Sequence, residues 1–385
     1  MNLLLFNWTH EFTFKDIVET LEKNNHKLTI YRYDYYGKDL DCIEELYALT
    51  ESEIKKSSFD AVFSVNYFPD IARVCYKHDL PYISWTFDCP LNIERIEDTL
   101  IFPTNKAFFF DKIQVSEFTS QGIDTAYHMP LAFNVQRLDA FRPAYKYMSD
   151  VSFIGRIYHS SYPTLCKYLD EYYVGYLQAM IEAQKSVYGC YLTKEIISDI
   201  FLSDINKSFK AHNCPYTEGD KTVSKAQLAY SLATEATFEN RLLIMGLLSK
   251  RFDLKWYTTP DSETLQNIQK LPPVDYYSEM PKVFKSSKIN LHIGLHSIPS
   301  GISLRQIDIL GAGGFLLSNY QPELFDYLTP GEDFDYFTCP EEAFEKCQFY
   351  LENDTLRKNV SLSGHKKAVE LFNYDTILNK MLSCI

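Results

Sequence analysis

No stretch of the 385 residues is apolar for long enough to span a bilayer. The apolar opening, residues 1–8, lacks the basic flank and small-residue cleavage site of a signal peptide, so no targeting segment is expected. Basic residues are in short supply, with Lys and Arg totalling 38 against 51 Asp and Glu. The resulting net charge of -13, with no basic patch along the chain, excludes nucleic acid as an expected partner. Nine cysteines are scattered from Cys42 to Cys384 without a CxxC pair. An odd count in that pattern suits a reducing compartment better than a disulfide framework, and the cytoplasm is the expected address. Repeats and low-complexity tracts are absent too, and 46% hydrophobic with 23% charged residues excludes the disordered class.

What remains is a globular chain too long for the usual single core, so two domains are expected. The first 130 residues alternate strand-like and helix-like patterns, as βαβ units do around a parallel sheet. Strands are expected at 1–8, 26–31, 60–65, 82–87 and 106–110. Thr13 and Asp16 resemble a capping box, and Phe14, Ile17, Val18 and Leu21 follow at helical spacing. Periodicity fades over 131–147, with Pro130 and Pro143 nearby, which reads as a linker. A strand at 151–154 is followed by about a hundred helix-like residues before the strand at 254–257, far beyond an ordinary connection. Strands at 289–293 and 315–318 and three closing helices complete a second α/β unit. The expected domains are 1–135, joined by a last helix at 372–385, and 148–367 with a helical insertion at about 160–235.

The segment 286–319, SSKINLHIGLHSIPSGISLRQIDILGAGGFLLSN, reads strand, glycine-containing loop, short helix, small-residue turn, strand. A helix starting near Ser303 aims its unbonded N–H groups and positive dipole end at residues Ser300, Gly301 and Ser303, a setting for a diphosphate. Arg305 and Asp308 share one helical face, so a guanidinium can neutralise phosphate while the carboxylate accepts from vicinal ribose hydroxyls. The same spacing equally fits a surface ion pair between the two. In the first domain the strand at 82–87 delivers Asp88 at its carboxyl end, where ligands of open α/β sheets bind. A carboxylate there can take the proton of an attacking hydroxyl, or it can cap the turn before Cys89 and Pro90. His10 and Glu11, after the first strand, lie at the same edge. His10 titrates near neutrality and is a second candidate base, whereas Glu11 can simply favour the following helix. Asn66, closing the strand at 60–65, can bind an acceptor or form a turn.

Taken whole, 286–319 resembles the C-terminal signature of the CgeB-like glycosyltransferases, a branch of the group 1 family with the GT-B fold. The resemblance continues through YQPELFDYL at 320–328 and SLSGHKKAVELF at 361–372. DAVFSVNYFPDIARVC, PYISWTFDCP, NKAFFFD and YHMPLAFN are similar to the N-terminal domain that accompanies this module. The resemblance implies an α/β, GT-B architecture, two facing Rossmann-like domains with parallel sheets, with the donor held by the C-terminal one. It places the second acid of the group's Glu-x7-Glu motif, the ribose contact, on Asp308, and the first acid on Ser300, a departure that leaves the stereochemical course open. Gly155 and Arg156 occupy the place where similar enzymes set a basic residue against the diphosphate, and Ser160 and Ser161 can add hydroxyl donors. Asp88 takes the place of a polar active-site residue, and Glu11 and Asn66 become acceptor-binding candidates.

Tyr257, Tyr276 and Tyr277 fall near strand ends that border the base site, although core packing accounts for any one of 29 tyrosines equally well. His292 and His296 bracket a strand end but have no acid at ligand spacing, so no metal is expected. Two Asp-x-Asp tripeptides, at Asp39 and Asp41 and at Asp333 and Asp335, read as a helix start and a turn. Gly311 to Gly314 closes a helix and opens a strand, the reverse of a dinucleotide fingerprint, so NAD is not expected. The expected activity is metal-independent transfer of a hexose-type sugar from a nucleoside-diphosphate donor to a hydroxyl of a glycan, spore or surface component, or protein side chain. No other cofactor is expected, and nothing in the sequence sets an oligomeric state. Alternatives are a sugar-nucleotide epimerase on the same fold, and a sugar-nucleotide-binding protein without turnover.

Overall fold

The structure, a computed structural model, describes residues 1–8, 13–34, 43–91, 93–259 and 268–385. The chain forms two compact units: 1–136 with 301–307 and 368–385, and 137–300 with 308–367. The short segment 301–307 thus packs with the first unit, although the sequence assigns it to the second.

The first unit is built on six parallel strands: β1 (Asn2–Trp8), β2 (Lys27–Tyr33), β3 (Ala61–Val65), β4 (Tyr82–Thr86), β5 (Asn105–Phe109) and β6 (Ala126–His128). They lie in the order β2-β1-β3-β4-β5-β6. Every residue of β3 and β4 is buried, Ser64, Ser84 and Thr86 included, as expected of central strands covered on both faces, whereas β2 at the edge is partly exposed. The helix Phe14–Lys23 buries Phe14, Ile17 and Leu21 as its periodicity predicts. The capping box does not form: Thr13 makes no side-chain cap bond. Asp16 instead turns inward and accepts from Asn134 Nδ2 at 3.0 Å. The last helix, Tyr374–Leu382, is capped by Asn373, which accepts from Thr376 N at 2.7 Å. It docks through Lys23 Nζ to Asp375 at 2.7 Å, and Phe133 N donates to Phe372 O at 2.9 Å.

The second unit carries β7 (Ser149–Ile154), β8 (Leu254–Tyr257), β9 (Gln269–Leu271), β10 (Ser287–His292), β11 (Leu316–Asn319) and β12 (Asp335–Phe337). All are parallel, in the order β9-β8-β7-β10-β11-β12, the order of a dinucleotide-type α/β sheet. Between β7 and β8 the chain is helical, running through Tyr162–Leu165, Glu171–Lys185, Leu192–Ile196, Asp199–Ala211 and Lys225–Leu248. These helices bury a core of their own around Leu177, Ile181, Phe209, Leu228 and Leu232. The longest starts at a true capping box, Ser224 with Gln227. Strands β6, β9 and β12 escape the sequence reading because three residues are too few to show a period. The expected linker holds a short helix, Val135–Asp139, and a tight 3-10 turn, Tyr145–Tyr147. Among the described residues no helix is long and apolar enough to cross a membrane.

Candidate functional site

In an open parallel sheet, ligands bind outside the carboxyl ends where the strand order reverses. In the second unit that point lies between β7 and β10. Gly155 and Arg156 follow β7. Gly155 is fixed by its N–H to Tyr257 O at 3.2 Å and by Trp256 Nε1 donating to its carbonyl at 3.0 Å. A side chain there would put Cβ 3.1 Å from the Phe153 ring, so the ring would have to shift to admit one. Arg156 is exposed, and its backbone carbonyl accepts from the guanidinium of Arg241.

Arg241 itself is a site residue that sequence reasoning missed. Buried in the helix Lys225–Leu248, it also donates from Nε to Ile293 O at 3.0 Å, so one side chain straps the ends of β7 and β10. Its guanidinium lies 4.7 Å from the Tyr158 ring and 5.3 Å from that of Phe153. The available signal was a charged residue on an apolar stripe, since Thr237, Arg241, Ile244 and Leu248 share the buried face. Ser160 and Ser161 face this helix as well, bonding Glu235 and, at 2.9 Å, Ser231. Their hydroxyls are thereby spent on packing the insertion.

The loop after β10 is held from several sides. Gly294 N donates to Asn319 Oδ1 at 2.7 Å. His292 closes β10, and His296 is buried with its ring nitrogens 3.0 Å from Asn240 Nδ2 and 3.3 Å from Gln184 Nε2. Burial lowers the His296 pKa to about 4, so the ring is neutral and serves the packing of the insertion. Ser300 Oγ donates to Glu323 Oε1 at 2.7 Å, with both residues buried.

The expected diphosphate cradle is partly occupied by protein. Gly301 N donates to Asp111 Oδ2 at 2.6 Å, and a side chain at Gly301 would stand 2.6 Å from the Phe110 ring. Ser303 N donates to Gln306 Oε1 at 2.7 Å, half of a capping box. The helix Leu304–Gly311 then carries Arg305, partly exposed, in its opening turn and Asp308 one turn later. Asp308 is 2% exposed, which removes the surface-ion-pair reading. Its Oδ1 accepts from Tyr276 OH at 3.2 Å. Tyr276 is in turn gripped by Arg137, whose Nη1 donates to the Tyr276 carbonyl at 3.3 Å. The Arg137 guanidinium lies 4.7 Å from the Tyr276 ring and 5.0 Å from that of Tyr277. Of the three expected tyrosines, Tyr276 therefore meets Asp308 and Tyr277 packs against Tyr276 and Arg137, while Tyr257 packs in the core against Tyr147 and Val283.

In the first unit, Asn66 follows β3 with φ 62°, a left-handed conformation that asparagine tolerates. Its N–H donates to Trp85 O at 2.8 Å and its Oδ1 accepts from Phe87 N at 2.8 Å. Nδ2 donates to Asp88 Oδ2 at 2.7 Å. Asn66, expected to bind the acceptor, thus spends its amide on aiming Asp88. Desolvation by the surrounding protein raises the Asp88 pKa, and the Asn66 bond opposes the rise. Asp88 nevertheless reaches solvent by surface area, and water moderates the shift. Trp8 Nε1 donates to Val65 O at 2.8 Å, tying the ends of β1 and β3. His10 and Glu11, like Asp39 and Asp41, lie outside the described residues. Asp333 accepts from Thr329 N and Ser363 Oγ and pairs with Lys367, whereas Asp335 accepts from Tyr350 OH and pairs with Lys346. The second Asp-x-Asp is accordingly split between two structural networks.

Comparison with known proteins agrees with this architecture. Residues 227–383 match a family described as glycosyl transferase-like. An uncharacterized protein of Aquifex aeolicus (strain VF5) is 28% identical over 99 residues, a span of 25% of this chain and 25% of that protein. A glycosyltransferase from Rickettsia africae ESF-5 superposes with a TM-score of 0.57 at 12% identity, covering 100% of this chain and 97% of that one. Sucrose-phosphate synthase from Thermosynechococcus elongatus gives 0.56 at 10%, covering 100% and 98%. Anabaena HepE in complex with UDP-glucose gives 0.55 at 8%, covering 100% and 99%. The fold is that of the GT-B glycosyltransferases, with two Rossmann-like sheets of six parallel strands.

Proposed function

We propose that the chain is a glycosyltransferase of the group 1 type that moves a sugar from a nucleoside-diphosphate donor to a hydroxyl acceptor. The observation that carries the reading is Asp308, a buried carboxylate one turn into a helix that opens beside the sheet's ligand edge, oriented by the Tyr276 hydroxyl. It accepts the vicinal hydroxyls of the ribose, with Tyr276 and Tyr277 bordering the base. Arg305 and the opening turn of its helix neutralise charge that develops on the leaving diphosphate, with Arg156 as a further cation. These arginines make the reaction independent of a metal. Asp88, aimed by Asn66, takes the proton of the acceptor hydroxyl as it attacks. The acceptor is a glycan, a spore or surface component, or a protein side chain. Motif order along the sequence favours the CgeB-like branch, and the UDP-glucose held by a structural neighbour makes uridine donors the first to try.

The test is a thermal-shift and turnover screen of nucleotide sugars, starting with UDP-glucose, with and without chelator. A bound donor stabilises the fold by mass action, about 2.7 kcal/mol at a hundred times its Kd. The expected result is a shift with at least one donor, unchanged by chelator, and release of its nucleoside diphosphate when an acceptor is supplied. Absence of any shift or release across the donors contradicts the proposal, and epimerised sugar from donor alone replaces it with an epimerase.

A further inference from the structure

We propose that the second unit carries a separate site for a small organic carboxylate at the amino ends of its strands, with Lys285 as the residue that meets the anion. The donor reading concerns the carboxyl ends of the same strands, so the two sites stand or fall independently. A cavity of about 670 Å³ opens at the amino ends. Its walls are the starts of β7 and β10, the turn into β11, and residues 354–365 of the helix Asp354–Leu371. That volume falls in the range of pockets that hold small molecules. The wall is firmly built: Ser149 Oγ, at the start of β7, donates to Ser287 Oγ, at the start of β10, at 3.1 Å. At the turn, a Cβ on Gly314 would stand 2.5 Å from the Asn290 side chain and 2.9 Å from the Phe284 carbonyl, so the chain passes there only as glycine.

Four basic and three acidic side chains line the cavity, His365 apart. Most of them satisfy one another. Lys288 Nζ pairs with Asp150 at 2.8 Å, and Lys358 Nζ pairs with Asp354 at 2.6 Å. Arg357 also pairs with Asp354 and donates to Tyr350 O at 2.8 Å. Asp253 is exposed, and water screens it. Lys285, in the last turn of the helix Met280–Ser286, is different: it is half-buried and makes no ion pair or hydrogen bond among the described residues. Desolvation lowers its pKa, with Asp139 opposing and Arg142 adding to the effect. An ammonium partly stripped of water and without a counter-ion gains from a bound anion. The single excess cation suits a monoanion and not a pyrophosphate. The apolar part of the lining fixes the rest of the ligand. Phe284 and Phe315 face the cavity, and Met148 and Leu362 beside them keep 51% and 69% of their surface exposed. A carboxylate on an aliphatic or aromatic body covers that apolar surface while its charge meets Lys285.

The experiment is titration of the full chain with benzoate, phenylacetate and hexanoate, each against its neutral amide, followed by ligand-observed NMR. At least one carboxylate is expected to saturate and to bind about 10-fold more tightly than its amide, the worth of a charge-assisted bond. Lys285→Met should erase that preference, whereas Lys285→Arg, which keeps the cation, should hold affinity within about threefold. Lys288→Met, whose lysine already has Asp150, should also change affinity less than about threefold. Lys285→Met removes a half-buried charge and should unfold in urea no earlier than wild type, which separates lost binding from lost fold. No saturable carboxylate, equal affinity for carboxylate and amide in wild type, or a preference that survives Lys285→Met overturns the proposal. Inorganic phosphate binding as tightly through Lys285 overturns the choice of a carboxylate.

Discussion

In the first unit the ends of β1 and β3 are tied by an indole, Trp8 Nε1 donating to Val65 O. In the second, the ends of β7 and β10 are tied by a guanidinium, Arg241 bonding the carbonyls of Arg156 and Ile293. Each strap sits where its strand order reverses, so each sets the floor of a ligand edge. At the first edge Asp88, held by Asn66, suits a hydroxyl that must lose a proton. The second has a buried cation beneath it and Arg156 above it, which suits phosphate. On the proposed reading, similar sheets thus take different tasks through the strapping residue and the side chains beside it.

The strongest way to break this comparison is Asp88→Asn. It should lower kcat by about 10² to 10⁴ with donor affinity unchanged, measured by steady-state transfer and by titration with donor. A kcat within threefold of wild type would remove Asp88 as the base. The base works only when deprotonated, so activity should rise with pH through the folded pKa, and desolvation moves that limb above the ordinary value for Asp. Asn66→Ala removes the bond that holds this pKa down, so the limb should move to higher pH in its rate profile. Arg241→Met should cost about 2–4 kcal/mol in urea unfolding, because two strand-end carbonyls lose a charged donor inside the fold. Trp8→Phe, at the matching place in the first unit, should cost less, about 1–2 kcal/mol, since a neutral bond and the pyrrole half of the indole are lost while the six-membered ring is kept. Equal losses for these two would mean that charge at the second edge has no special part.

The sequence revealed most where burial was continuous or periodic. β3 and β4 are inside on both faces and read directly, and the helix Phe14–Lys23 shows its stripe. The helix Leu304–Gly311 with Arg305 and Asp308 was legible because glycine, helix-former and turn residues stand in a short order. Contacts between distant residues were not. No spacing rule joins Ser300 to Glu323 or Gly301 to Asp111, and neither bond follows from local pattern. Those bonds also changed the cradle, since a backbone N–H read as open to phosphate is taken once the chain folds back on it. Thr13 shows the converse: a capping box legible in sequence gave way to the burial of Asp16 against Asn134.

The central claim is that Asp308 reads the ribose, and titration with UDP and 2′,3′-dideoxy-UDP tests it most directly. Wild type should bind UDP about 10- to 100-fold more tightly than the dideoxy analogue, the worth of hydrogen bonds to a charged group. Asp308→Ala should bind both with the same weak affinity. If wild type does not distinguish the two nucleotides, or Asp308→Ala keeps the preference, the donor assignment is contradicted.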